Sequence, residues 1–490
     1  MNITMTPLQR FAAGAAALAL AAIGAVSTAT PANAAPGPGQ SGAPDTGSLI
    51  VHKRAGVQGG ATTALADVTF SLQRVGVWTG GSCVAIDLTT TAGWTAAQAA
   101  NGTNPAAPVS PASEGAFCAS GAATDGKTNA SGEYTFGNLA LGLYYVAETD
   151  APANVVERSV PFYVTVPYPS GTASNWLYNV DVYPKNAVAD RPVKTISSQP
   201  SSLVVGSTVQ WTITQTIPSL TSTTASFTEA SVTDALDSRL SLSGAPVVTI
   251  GSPNGAQLTA ADYTVSGAVT ITFTGTGLAK LTANQTKTLT VTLTTTVGSV
   301  GNGSIPNNGA AVSFNGKPQT PAAVPYSYWG QLTVTKVDAS DDTILLSGAR
   351  FALHEKGAGT CPATPTGNVV ATGTSNATGV VQWDSSAPAS PLGLWIANSD
   401  TPAPDSAKDY CLYETQAPSG YVRITDPWTV TLEATDGGVA VAVTAENQAA
   451  IGPDLPLTGA QGTLLFTLAG LALVALATGG LLVRRARATH

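Results

Sequence analysis

Residues two apart in a β-strand share a face, so alternation along a strand shows which side chains enter the core. In the C-terminal third this rule gives a chemically unusual set. Leu332, Val334 and Lys336 share one face, as do Leu412 and Glu414, and as do Val439, Val441, Val443, Ala445 and Asn447. Lys336, Glu414 and Asn447 are therefore expected inside one apolar domain, where isolated polar groups are costly. A buried ion pair with an amide neighbour is one outcome. A condensation is the other. Desolvation lowers the pKa of a lysine and raises that of an acid, leaving a neutral amine beside a protonated carboxyl. The amine can attack the asparagine side-chain carbonyl while the acid polarises the carboxamide and shuttles protons, and ammonia leaves. Burial alone does not choose between the two.

The first third repeats the pattern. Leu49, Val51 and Lys53 share a face, as do Tyr144, Val146 and Glu148, and Val180, Val182, Pro184 and Asn186 form a closing strand. The surrounding strings are related too: SLIVHK ending at Lys53 parallels QLTVTK ending at Lys336, and YYVAETDAP from Tyr144 parallels CLYETQAP from Cys411. In the middle of the chain, Arg191-Pro192-Val193-Lys194 precedes Asp234 in a Val-Thr-Asp-Ala-Leu string and the pair Asn307-Asn308. Asn308 shares a face with Ala310, Val312 and Phe314, which favours Asn308 and leaves Asn307 as the alternative. Lys194 has no such parity support, because Val193 falls on the opposite face.

A lysine in the first strand, an acid in an E-T-x-A-P context and an asparagine in the last strand resemble the CnaB-type isopeptide domains of Gram-positive pilins. The middle segment is similar to the CnaA type, in which the helper acid is Asp. The resemblance implies amide cross-links Lys53–Asn186, Lys194–Asn308 and Lys336–Asn447, assisted by Glu148, Asp234 and Glu414.

The elements that must hold these groups are strands. Charged residues make up only 10% of the chain, and Thr, Ser, Ala, Val and Gly are abundant, which suits β-rich surface domains. Thr288 to Val297 alternates Thr with Leu289, Val291 and Leu293, and Val269, Ile271 and Phe273 alternate likewise, as half-buried antiparallel strands do. Residues 89–112 read as an irregular insertion with at most a short helical turn, and no long amphipathic helix is expected in the exported region. At 490 residues the chain is too long for one ordinary domain. The expected fold is all-β, with three tandem immunoglobulin-like β-sandwiches at 48–188, 189–326 and 327–450 after a flexible leader at 35–47. Four cysteines lie in that region, and the pairing that respects these boundaries is Cys83–Cys118 and Cys361–Cys411.

The ends set the compartment. Residues 1–34 hold Arg10, an apolar run from Phe11 to Val26 and a small-x-small site at Ala32-Asn33-Ala34, the pattern of a signal peptide. Residues 451–490 hold Leu455-Pro456-Leu457-Thr458-Gly459, an apolar stretch at 463–483 long enough to cross a bilayer, then Arg484, Arg485 and Arg487. This order resembles the cell-wall sorting signal of sortase substrates, which implies cleavage between Thr458 and Gly459. Trp176 to Asn186 is similar to the pilin motif of sortase-assembled shafts, in which the lysine of V-Y-P-K accepts the next subunit. Alternation puts Asp181, Tyr183 and Lys185 opposite Val180 and Val182, so Lys185 faces outward.

Together these resemblances imply the major shaft subunit of a covalent surface pilus, supporting adhesion from the cell wall. Thr458 of one copy would join to Lys185 of the next. The implied partners are further copies of this chain, a pilus sortase and a housekeeping sortase, peptidoglycan, tip or accessory pilins, and host or bacterial surface receptors. A wall-anchored monomeric adhesin or an accessory pilin is the competing reading, and neither a terminal adhesin nor a wall-anchored monomer needs Lys185. A net charge of −8 argues against nucleic acid. His52, His354 and His490 are the only histidines, and no metal-ligand cluster, nucleophile elbow or phosphate loop is evident. No turnover enzyme, metal or cofactor is expected.

Overall fold

The computed structural model describes residues 35–56, 62–100, 105–170, 175–222, 224–251, 255–384, 390–452 and 460–487. The signal peptide, the sorting motif Leu455–Gly459 and His490 lie outside them. The described residues fall into two compact units, one within 1–332, 386–408 and 431–441 and the other within 333–385, 409–430 and 442–490.

The larger unit begins with a β-sandwich. Strand Thr46–His52 runs parallel to Asn179–Val182, pairing Leu49 with Val180 and Val51 with Val182, and antiparallel to Glu133–Ala140. A second sheet has Thr69–Thr79 beside Gly142–Asp150, which pairs in turn with Phe162–Val166. Leu49, Val51, Phe70, Leu72, Val146, Val164, Val180 and Val182 fill the core between them. The short strand Lys185–Val188 continues the closing edge, parallel to Arg54–Ala55 and antiparallel to Val155–Glu157. The start of the leader, at Pro36 and Gly37, lies against the sandwich, while most of 39–46 is exposed. Tyr178 donates its hydroxyl hydrogen to the Pro36 carbonyl at 2.9 Å, and a Cβ on Gly37 would come within 2.9 Å of the Trp176 indole nitrogen. Trp176 and Tyr178 supply the surface that Pro36 and Gly37 meet.

Farther along this unit, Thr208–Thr216 pairs over its whole length with residues 288–296 of strand Thr288–Val297. In Thr288–Val297 every second side chain is buried. Thr295 sits on that apolar face because its Oγ accepts the Trp211 indole N–H at 2.8 Å. The opposing sheet has Ala230–Ala235 between Thr270–Phe273 and Gly309–Phe314. One apolar core runs from Ala187 and Ala189 through Trp211, Val232 and Val291 to Trp329 and Trp395.

In the smaller unit, Arg350–Glu355 lies between Val369–Ser375 and the part of Ala407–Gln416 that starts at Tyr410. Phe351, Leu353, Tyr410 and Leu412 are buried there. The all-β architecture matches the expectation from alternation.

Among the described residues, two short α-helices interrupt the strands. Thr91–Gln98 falls in the insertion, where Thr90 caps it by accepting the Gly93 N–H at 3.0 Å. Gly275–Ala283 is capped in the same way by Thr274, and only Gly277 and Leu281 of it are buried, too little periodicity to read from sequence. The C-terminal helix Ala460–Arg487 contains a 20-residue span, Phe466–Arg485, of mean hydropathy 2.1, apolar and long enough to cross a membrane.

Both disulfides are formed, Cys83–Cys118 and Cys361–Cys411. The second closes a loop across a sequence separation of 50. Replacing Cys361 and Cys411 by Ser should cost the smaller unit about 2–4 kcal/mol through the freed unfolded chain. Hydrogen exchange in Arg350–Glu355 is the check, and unchanged protection would mean that the bridge does not hold this sheet.

Candidate functional site

The first cluster is fully assembled. Lys53 follows the inward-facing Leu49 and Val51, and both it and Asn186 are completely buried. Lys53 Nζ donates to Glu148 Oε2 at 2.8 Å and to Asn186 Oδ1 at 2.5 Å. Asn186 Nδ2 donates to Glu148 Oε1 at 2.7 Å. The amine, the carboxylate and the carboxamide therefore touch pairwise. Phe70 presents its ring 5.4 Å from Nζ. Burial lowers the Lys53 pKa to about 8, against the opposing pull of Glu148.

The second cluster corrects one residue. Lys194 Nζ donates to Asp234 Oδ1 and Oδ2 at 2.7 and 2.6 Å, and Asn307 Nδ2 donates to Asp234 Oδ2 at 3.1 Å. Asn307 is fully buried, whereas Asn308, the residue chosen by alternation, is exposed. The reason is local. Strand Gly309–Phe314 starts only after the pair, so its alternation does not extend back through Asn308. Asn307 instead continues the burial of Ile305, and its N–H donates to the Pro325 carbonyl at 3.0 Å. Gly309 then approaches Ala235 so closely that a Cβ would meet the Ala235 carbonyl oxygen at 2.2 Å. Lys194 enters the core because Val193 takes the exposed face, at 57% exposure. Burial lowers the Lys194 pKa to about 8 and raises that of Asp234.

The third cluster is only partly joined. Lys336, Glu414 and Asn447 are all buried, and Asn447 Nδ2 donates to Glu414 Oε2 at 2.9 Å. Lys336 Nζ, however, donates to the carbonyls of Ala445 at 2.5 Å and Val337 at 3.1 Å. Glu414 Oε1 and Asn447 Oδ1 have no hydrogen-bond partner. Burial again lowers the lysine pKa to about 8, with Glu414 the largest opposing charge.

Lys185 lies directly beside the first cluster. It opens strand Lys185–Val188, in register with Arg54, and is half-buried while its neighbour Asn186 is fully buried. Tyr183, two residues earlier, is 44% exposed and stacks on His52 with ring centroids 4.7 Å apart. His52 in turn bridges Glu133 and Asp181 at 3.0 and 2.8 Å. Neither this bridge nor Ser159, which contacts all three members of the first cluster, is visible to strand alternation. The His52 bridge needs the spatial pairing of distant strands, and Ser159 sits in an irregular segment.

Comparison with known proteins gives the family. Residues 38–187 match the family model for the N-terminal domain of the Gram-positive pilin subunit, D1, and residues 447–488 match the LPXTG cell wall anchor motif. A domain of the first kind ahead of an anchor of the second defines a wall-anchored pilin. The chain is 33% identical to the fimbrial subunit type 2 of Actinomyces naeslundii, across 99% of this chain and 97% of that one. It is 30% identical to the fimbrial subunit type 1 of Actinomyces viscosus, across 71% and 73%. The major pilin SpaD of Corynebacterium diphtheriae shares the fold at 22% identity, with a TM-score of 0.59 over 82% of this chain and 97% of that one. The chain thus belongs to the fimbrial subunit family of Gram-positive bacteria. It is a structural subunit of a surface fimbria anchored to the cell wall.

Because Asn307 rather than Asn308 supports buried Asp234, Asn307→Ala should cost about 1–3 kcal/mol. Asn308→Ala should stay within about 0.5 kcal/mol of the parent. Urea unfolding of the two variants checks this, and equal losses would contradict the placement.

Proposed function

We propose that this chain is the shaft subunit of its fimbria, polymerised by a sortase and reinforced from within by lysine–asparagine amides. The observation that carries the reading is the pairing of Lys185 with Asn186, one half-exposed and the next sealed in the Lys53 cluster. A sortase cysteine attacks the Thr458 carbonyl and releases the chain from Gly459 onward. The Lys185 amine of another copy then resolves the thioacyl intermediate, leaving a Thr458–Lys185 amide. Repetition gives a head-to-tail fibre, a heterologous contact that does not close. A housekeeping sortase joins the last subunit to peptidoglycan.

The internal links of this reading are Lys53–Asn186, Lys194–Asn307 and Lys336–Asn447, with Glu148, Asp234 and Glu414 as proton carriers. Their domains are 48–188, 189–326 and 327–450. Each bond forms once per molecule, so the chain modifies itself and turns over no substrate. Close contact of amine, acid and carboxamide supports the first link, and the lowered lysine pKa values support all three.

In cells carrying the pilus sortase, Lys185→Ala should abolish the high-mass ladder on a denaturing gel, and an unchanged ladder would rule out Lys185 as the acceptor. The intact mass of the exported chain should be lower by one ammonia per internal link. A full unlinked mass after folding would remove the internal amides from the proposal.

A further inference from the structure

The Lys53 cluster contains a fourth group. Ser159 lies in the irregular segment between strands Val155–Glu157 and Phe162–Val166. Its main-chain N–H donates to Asn186 Oδ1 at 2.7 Å and, more weakly, to Glu148 Oε2 at 3.4 Å. Its hydroxyl donates to Glu148 Oε2 at 2.9 Å and accepts from Lys53 Nζ at 3.1 Å. We propose that Ser159 is a catalytic residue of Lys53–Asn186 bond formation. Its N–H stabilises the oxygen on which negative charge develops, and its hydroxyl holds the amine against the acid. The proposal rests on the reading that this amide forms.

The donor and acceptor count supports these roles. A lysine ammonium carries three protons, and here it meets three acceptors: Glu148 Oε2, Ser159 Oγ and Asn186 Oδ1. Transfer of one proton to Glu148 frees the nitrogen lone pair, which attacks Asn186 Cγ. The C=O π electrons move to Oδ1, where the Ser159 N–H already sits, so its stabilisation requires no rearrangement. Glu148 then protonates Nδ2, which its Oε1 already faces at 2.7 Å. The oxyanion collapses, the Cγ–Nδ2 bond breaks and ammonia leaves. The surplus proton on Nζ passes by way of Glu148 to the departing ammonia, so the products are an amide and an ammonium ion. Glu148 ends ionised, as it began. One C–N bond forms and one breaks, without an oxidant or reductant.

The other two clusters lack both features. Asn307 Oδ1 and Asn447 Oδ1 have no hydrogen-bond donor. At Glu414 the main-chain N–H comes from Ile424 and goes to the acid, at 2.7 Å, rather than to the amide oxygen. No serine hydroxyl bridges amine and acid among the described residues of either cluster.

The test is an isotope pulse during synthesis of the full-length chain, followed by peptide mapping for the linked Lys53–Asn186 peptide. The Lys336–Asn447 peptide serves as an internal reference. Ser159→Ala keeps the N–H and loses the hydroxyl, and it should slow the first link about tenfold without slowing the reference. Ser159→Thr should restore the rate while Ser159→Val, of nearly the same shape but without the hydroxyl, should not, a difference that a cavity effect would not give. Ser159→Pro removes both groups and should slow linkage about a hundredfold or more. Melting of Ser159→Pro in an Asn186→Ala background shows whether folding is retained. If it is not, the Ala and Thr pair decides. A parental rate in Ser159→Ala would overturn the hydroxyl role, and a parental rate in folded Ser159→Pro would overturn the N–H role. Absence of the linked peptide from the unsubstituted chain would overturn the underlying reading as well.

Discussion

A lysine head group sealed from water must find acceptors, and that requirement organises this protein. Lys53, Lys194 and Lys336 are each almost wholly buried. An uncompensated ammonium there would cost several kcal/mol. Each therefore dictates its surroundings: Glu148 and Asn186 reach the first, Asp234 embraces the second, and two main-chain carbonyls take the third. Strands that are far apart in sequence are brought together around these demands. Lys53 and Asn186 are separated by 133 positions, yet Lys53, at the break between Thr46–His52 and Arg54–Ala55, meets Asn186 because Arg54–Ala55 runs parallel to Lys185–Val188.

The clusters differ in how nearly the reacting groups are aligned. In the first, the amine lies against the amide oxygen and the acid against the amide nitrogen. In the second, the acid stands between lysine and asparagine, bonded to each. In the third, the acid and amide have met while the amine is held elsewhere. The shared property is desolvation, which pulls every one of the three lysines toward the neutral form. The difference lies in which partners the three groups take.

Much of this was legible because alternation is a strong signal in long strands. Thr288–Val297 reads its burial from sequence alone, and Lys53 and Lys336 inherit inward directions from Leu49, Val51, Leu332 and Val334. The reading failed where strands stop. Asn307 and Asn308 lie between two strands, so the alternation of the second could not orient them. Lys194 sits on a four-residue edge strand whose apolar neighbour points to solvent. Composition carried no sign that Pro36 and Gly37 would meet Tyr178 and Trp176, aromatic residues far along the chain. Ser159 acts through its main chain as much as its hydroxyl, and a main-chain donor leaves no mark in sequence.

The position of Lys185 at the final strand of the first sandwich has a mechanical consequence. Under the proposed linkage, tension enters each subunit at Lys185 and leaves at Thr458. Residues before Lys185 then hang beside the line of force rather than within it. Ala187 and Ala189, immediately after the entry point, belong to the same apolar core as Trp211 and Trp329. Load would pass almost at once into that larger core. The first sandwich would be spared stretching, so its task would be to present the acceptor lysine while the rest of the chain carries the strain of the fibre.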